Sequence, residues 1–329
     1  MAIQSFAHGK INSVAIAILG AGGFLGSNVA RALINAGNEV MVVSSSEPVN
    51  PARREVWELA STQIVADLRL GQVDLLGCMT VYNFAADMGG VGYFSEAQVG
   101  PYISNSRITF NVLEMCASQK VPKVFMSSSA CAYPISIQMV EGVAPLLAED
   151  LLESGPADQM YGKEKLMICA LSKHLPFDCR VGIIHTVYGD SISTDETRMK
   201  FPSAIVRKVL NARTTGQIEI WGNGKQLRSF LWIDDAVEKI IRIMDGPNPG
   251  PINIGYQGAV SVLDVVEICT NYLDIHPRII TNTKRPSGVL SRDCSNREFW
   301  NLYGPMEKVG YAHGFGMLLD AIAIAEDEF

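Results

Sequence analysis

A chain of 329 residues with 48% apolar and 19% charged side chains is long and apolar enough to bury a large core, which excludes a disordered protein. Its formal net charge of -7 argues against a phosphate-backbone binder and so against nucleic acid as a partner; an anionic ligand must be held by local cations. The apolar runs are too short to span a bilayer and the first ten residues carry no leader pattern, which predicts a cytoplasmic protein with no membrane partner. In chain order, a polar arm of about ten residues precedes short β-branched runs at 13–19, 39–43, 81–84, 123–126 and 179–184, with helical stretches between them. This alternation predicts an α/β fold built on a doubly wound parallel sheet, its strands nearly continuously apolar because helices cover both faces.

Residues 1–188 are expected to form mainly a dinucleotide-binding Rossmann domain. Residues 189–329 are expected to form mainly a smaller C-terminal substrate-binding lobe, with some segments returning to the first domain. After Tyr188 the regular alternation fades into a polar, acidic loop at 190–198, a helix after Pro202, a short strand at 218–221 and a Pro/Gly-rich turn at 246–251. The Arg-rich stretch 284–297 reads as a further loop. No repeat or low-complexity tract interrupts the pattern.

Seven cysteines (Cys78, Cys116, Cys131, Cys169, Cys179, Cys269 and Cys294) form no CxxC pair and no cluster with zinc-ligand spacing, so neither disulfide nor metal is expected. All except Cys131 read as small core residues.

Gly20, Gly23 and Gly26 follow an apolar strand directly and open a helix through Phe24 and Leu25. Such a turn lets backbone N–H groups approach a pyrophosphate at the positive end of the helix, and the strand-before, helix-after context supports a dinucleotide reading. At the end of the second strand, where an NAD enzyme offers a carboxylate to the ribose, stand Ser44, Ser45 and Ser46. A 2′-phosphate is then not repelled. Arg53 or Arg54 either pairs with it or lies solvated on a helix, so NAD is the expected cofactor and NADP the alternative. Asp67 and Leu68 follow the third strand where the adenine lies, and Ala85 and Ala86 end the fourth where the backbone must lie close to the cofactor.

Tyr161 and Lys165 are four apart, one helical turn, so both project from one face. A neighbouring ammonium stabilises a phenolate, which makes Tyr161 a candidate base, and Ser129, just after the strand at 123–126, is placed to hold the substrate oxygen. This set argues against a non-catalytic NAD(P) sensor.

Three stretches carry a resemblance: Ala-Ala-Asp-Met-Gly-Gly at 85–90, Ser-Ser-Ala-Cys-Ala-Tyr-Pro at 128–134 and Trp-Gly-Asn-Gly-Lys-Gln-Leu-Arg-Ser-Phe at 221–230. With them the chain, from the glycine loop to about Arg292, resembles the GDP-mannose 3,5-epimerases among the extended short-chain dehydrogenases/reductases, and more weakly the GDP-fucose synthases. The resemblance implies a nucleotide-sugar substrate, hydride transfer at C4 to and from the nicotinamide, and proton exchange at the carbons flanking the transient ketone. By the same match Cys131 and Lys200 are the acid/base pair, and Gly89, Lys208, Gln226, Arg228 and Arg292 contact substrate. Oxidation at C4 acidifies the neighbouring C–H groups, which a thiol and an ammonium can then serve, and arginine forks suit a diphosphate. Thr186 stands where the family has Asn. The family also implies a homodimer through the helices flanking Tyr161. The alternatives are an NADPH-dependent 4-keto-sugar reductase and a C4 epimerase.

Overall fold

The run Ile16–Leu19 (β1) sends its side chains alternately into two cores, Ala17 and Leu19 into one and Ile18 into the other. Val40–Ser44 (β2) repeats the pattern, with Met41 and Val43 on the first side and Val40 and Val42 on the second. A strand whose two faces are both covered has no polar side, so its sequence is apolar throughout although its geometry has period two. The computed structural model describes residues 15–96, 98–190 and 199–327. The arm expected over the first ten residues, the start of the run at 13–19, and 191–198 of the expected acidic loop lie outside them.

The main sheet has seven parallel strands in the order β3-β2-β1-β4-β5-β7-β12. Here β3 is Thr62–Val65, β4 Thr80–Asn83, β5 Lys123–Ser129, β7 Asp178–Ile184 and β12 Ile252–Ile254. One face is covered by α1 (Phe24–Asn35), α2 (Pro51–Leu59) and α7 (Ile233–Asp245), the other by α4 (Val99–Ser118) and α5 (Gln159–Leu171), with the short α3 (Val91–Glu96) before α4. The strand order reverses at β1, and the carboxyl ends of β1, β4 and β5 open there into one crevice, where open α/β sheets bind ligands.

Beyond the sheet lie smaller ladders. Leu146–Leu147 (β6), Ser291–Cys294 (β15), Leu227–Arg228 (β10) and Val260–Ser261 (β13) form a four-stranded sheet; Thr186–Tyr188 (β8) pairs with Phe230–Trp232 (β11), and Gln217–Trp221 (β9) with Arg278–Asn282 (β14). Helices α6 (Phe201–Thr215), α8 (Val262–Tyr272) and α10 (Tyr311–Asp327) pack on one another, and α9 (Arg297–Tyr303) lies beside β12. Their apolar faces join the core under α1 and α7 through Val187, Tyr188 and Phe230, so one core runs from the sheet into the outer segments. Local signals place two of these helices. Pro202, in the first turn of α6, gives up an N–H that has no helical partner there, and the Ser261 and Asp264 side chains form a capping box at 3.0 and 2.7 Å.

The stretch 284–297, expected as loop, contains a strand. Ser291, Asp293 and Cys294 of β15 are buried, and the Asp293 carboxylate accepts from the Gly258 N–H at 3.0 Å. Its polarity reflects partners supplied by the tertiary structure, not exposure, and period-two hydrophobicity cannot detect such a strand. Among the described residues no helix is long and apolar enough to cross a membrane.

Candidate active site

The glycine turn is packed too closely at Gly20 and Gly26 for any other residue. Gly20 has φ +80°, and a Cβ on it would strike the backbone of Phe84 and Ala85 at the end of β4; a Cβ on Gly26 would meet the Gly20 carbonyl. Gly23 is the N-cap of α1 with no side chain capping it, which leaves the first-turn amides at Phe24 and Leu25 for an external anion. The site therefore fits a dinucleotide pyrophosphate.

Ser44 closes β2 and lies against Gly22, whose Cβ would meet its Oγ. The two arginines differ. Arg54 is exposed and paired with Glu47 at 3.0 Å and Glu58 at 2.9 Å, whereas Arg53 turns inward and donates to the Gly22 carbonyl at 3.4 Å, with burial lowering its pKa. Asp67 lies beyond β3 with its carboxylate held by Arg69 at 2.6 Å and its pKa lowered by those hydrogen bonds; Leu68 is buried. Ala85 and Ala86 follow β4, which ends two residues earlier, at Asn83, and the Ala85 N–H bonds back to the Asn83 side chain at 3.1 Å.

Tyr161 enters the crevice from the first turns of α5, with the side chain of Ser129, the last residue of β5, close enough to act on its phenol. Its phenol pKa is raised well above the usual value, chiefly by burial and then by the charges of Cys131 and Glu164, with Ser129 and Arg292 opposing. The expected lowering by Lys165 is thus not what dominates. The Lys165 ammonium lies 5.6 Å from the Tyr161 ring centroid and pairs with the buried Glu164 carboxylate at 3.0 Å, and Thr109 of α4 donates to the other Glu164 oxygen at 2.9 Å. Glu164 carries no motif signal, because a carboxylate on a helix reads as solvated until tertiary packing covers it.

Cys131 follows Ser129 in a 3-10 turn, its N–H donating to the Ser129 Oγ at 3.3 Å. It is the one half-buried cysteine; the other six are buried. Arg292 of β15 reaches its sulfur at 3.6 Å and also bonds Gln138 at 2.5 Å and Asp158 at 3.3 Å. Arg228 of the neighbouring strand β10 shares this pocket, and its pKa is held at about 9 by burial and by Arg292. Lys200, the N-cap of α6, is solvent-exposed, and partial desolvation of its ammonium lowers its pKa, opposed by the charge of Cys131. Ser129, Cys131, Tyr161, Lys200, Arg228 and Arg292 thus converge on one crevice, although the chain as a whole is acidic.

Three predicted substrate contacts lie in other surroundings. Lys208 sits 5.3 Å over the Trp221 ring and donates to the Glu219 carbonyl, with Arg285 at 5.3 Å from the same ring. Gln226 is buried and donates to the Trp221 carbonyl at 3.4 Å, its side-chain oxygen without a protein partner. Gly89 packs on Tyr93, whose hydroxyl donates to Asp87 at 2.9 Å. Gln138 and Asp158 carry no motif signal; an Asp preceding a helix reads as a cap, but this carboxylate makes no capping bond. Among the described residues no group of three His, Cys, Asp or Glu side chains is gathered to hold a metal ion.

Residues 16–255 match the NAD dependent epimerase/dehydratase family. The chain is 35% identical over 304 residues to GDP-mannose 3,5-epimerase 1 of Oryza sativa subsp. japonica, covering 90% of this chain and 77% of that protein. It is 34% identical over 308 residues to GDP-mannose 3,5-epimerase of Arabidopsis thaliana, with the same coverage. A UDP-glucuronic acid 4-epimerase structure from Bacillus cereus, in complex with UDP-glucuronic acid and NAD, superposes with TM-score 0.79 at 22% identity over 94% of this chain and 99% of that one, a likeness of fold. With the glycine cradle at the sheet's switch point and the Ser129-Tyr161-Lys165 set beside it, these matches lead to one conclusion: the chain belongs to the NAD dependent epimerase/dehydratase family.

Proposed function

We propose that this NAD-dependent nucleotide-sugar epimerase acts on a GDP-sugar through a transient 4-ketone, exchanging protons at the carbons beside C4. The observation that carries the reading is the meeting of Cys131 and Lys200 with Tyr161 and two arginines in one crevice. A phenol alone serves a hydroxyl proton; a thiol and an ammonium beside it supply two further proton carriers, as inversion next to a ketone requires. The substrate names of the curated relatives favour a guanine nucleotide.

In this reading Gly20, Gly23, Phe24, Leu25, Gly26, Ser44, Asp67, Leu68, Ala85, Ala86, Tyr161 and Lys165 hold NAD. Bound there, NAD would supply the hydride acceptor and donor for the sugar carbon. Tyr161 removes the C4 hydroxyl proton while Ser129 holds that oxygen. Cys131 and Lys200 then take and return protons at the flanking carbons. Arg228 and Arg292 face the anionic substrate, with Gly89, Lys208 and Gln226 along the remainder, so residues 189–329 supply most of the substrate lobe. The protein is read as a cytoplasmic homodimer. Val99, Ile103 and Phe110 leave an exposed apolar stripe on α4, beside the Tyr161 helix, which supports that interface and is tested by sedimentation equilibrium.

A second reading, an NADPH-dependent 4-keto-sugar reductase, draws on Ser44 in place of a carboxylate and on the inward turn of Arg53. Incubating GDP-mannose with the NAD-loaded protein in heavy water separates the readings. The epimerase gives deuterium at the carbons beside C4 with the cofactor ending as it began, and Cys131→Ala or Lys200→Ala suppresses the wash-in. Consumption of one NADPH per 4-keto-sugar turned over, without wash-in, establishes the reductase; inversion at C4 without wash-in establishes a C4 epimerase.

A further inference from the structure

Asp158 begins helix α5, three residues before Tyr161, yet its carboxylate does not cap the helix. It turns instead to the Arg292 guanidinium at 3.3 Å, in a pair whose side chains are each only 13% exposed. Arg292 comes from β15 of the outer sheet, and its three nitrogens have three different partners: Nε donates to the Gln138 side chain, Nη2 to Asp158 and Nη1 to the Cys131 sulfur. A guanidinium is planar and rigid, so fixing two of its nitrogens fixes the third. The main chain ties the same groups together. The Asp158 N–H donates to the Cys131 carbonyl at 3.0 Å, and Gly162, one turn on, is pressed so closely against that carbonyl that a Cβ would collide with it.

We propose that Asp158 is a positioning residue for proton exchange: with Gln138 it holds Arg292 against the Cys131 sulfur at a set distance from the Tyr161 base. The proposal rests on the epimerase reading above. A sulfur that takes and returns a carbon-bound proton is negatively charged in one of its two states, and Arg292 is the donor aimed at that charge. Hydride transfer at C4 depends on Tyr161 and Ser129; Arg292 spends its hydrogen bonds on Gln138, Asp158 and Cys131, and its charge is only the last and smallest of the influences on the Tyr161 phenol. Loss of the Asp158 carboxylate therefore acts chiefly on proton exchange and little on hydride transfer.

The test uses the NAD-loaded protein, GDP-mannose and heavy water, comparing the wild type with Asp158→Asn. Asn is as good as Asp at a helix N-cap, so the start of α5 is retained, which circular dichroism checks. Deuterium wash-in beside C4 is expected to fall at least tenfold, while single-turnover reduction of NAD stays within about twofold of the wild type. In an Arg292→Gln background the same change is expected to have no further effect, because Asp158 acts through that guanidinium. Asp158→Glu, which keeps the charge, restores part of the wash-in. Gln138→Leu, which loosens the guanidinium from its other side, lowers wash-in in the same direction and stands as the second test if Asp158→Asn does not fold. Unchanged wash-in in either single variant, or an undiminished effect of Asp158→Asn in the Arg292→Gln background, overturns the proposal. Absence of wash-in in the wild type overturns the epimerase reading instead.

Discussion

The rings of Phe94 and Tyr161 are stacked, their centroids 4.6 Å apart at 26°, so the candidate base is held by an aromatic from α3, outside its own helix. Tyr161→Phe keeps this stack and removes only the hydroxyl. Turnover is expected to drop by about 10²- to 10⁴-fold, the range for a lost general acid/base, with the thermal midpoint and NAD affinity nearly unchanged. Undiminished hydride transfer in that variant would show that another group is the base. Phe94→Leu frees the ring without touching the hydroxyl, and kcat is expected to fall more than KM rises.

Gly20→Ala places a methyl against the Phe84 and Ala85 backbone at a φ of +80° that L residues rarely adopt. The turn must open, and the pyrophosphate cradle with it. Dinucleotide carried through purification, measured by mass analysis of the denatured supernatant, is expected to disappear, while the chain still folds. Retention of wild-type NAD affinity on titration would place the cofactor elsewhere.

The Arg180 guanidinium of β7 is buried beneath the end of α7. It pairs with Asp178 at 2.8 Å and donates to the carbonyls of Ile243, Met244 and Gly246, the last two at 3.0 and 2.6 Å. Arg180→Met takes this donor from the Ile243 and Gly246 carbonyls, while Met244 keeps Lys123 at 3.1 Å and Asp178 keeps Asn248 at 2.6 Å, so a loss of about 2–3 kcal/mol is expected in urea denaturation. A loss below about 1 kcal/mol would mean that water or a neighbour replaces the guanidinium.

His185 is kept neutral by burial, which lowers its pKa from 6.5 to about 3, against the opposing hydrogen bond to Asn253 at 3.0 Å. Its folded-state pKa lies below the unfolded one. The unfolded chain therefore binds the extra proton between those values, and the stability His185 contributes is complete above pH 6.5 and is lost progressively as pH falls towards 3. From pH 7 to 5 this costs about 2 kcal/mol. His185→Gln is expected to flatten the stability curve by that amount over that window; an equally steep curve in the variant would assign the acid sensitivity to carboxylates instead.

Residues whose role depends on chain neighbours were legible in the sequence. Gly20, Gly23 and Gly26 reveal themselves by following an apolar run and opening a helix, and the alternation of β-branched runs with helices is enough for a doubly wound parallel sheet. Tyr161 and Lys165 are one turn apart whatever surrounds them. Tertiary structure decided what depends on residues distant along the chain. The stretch around Arg292 reads as a polar loop until β10 and β6 pair with it as strand β15 and its side chains find partners across the crevice. Glu164 and Asp158 look like solvated or capping carboxylates until Lys165 and Arg292 reach them. The Tyr161 phenol, which local spacing beside an ammonium expects to be eased, is raised instead, because desolvation depends on every atom packed around it and helical spacing registers only its neighbours along the helix.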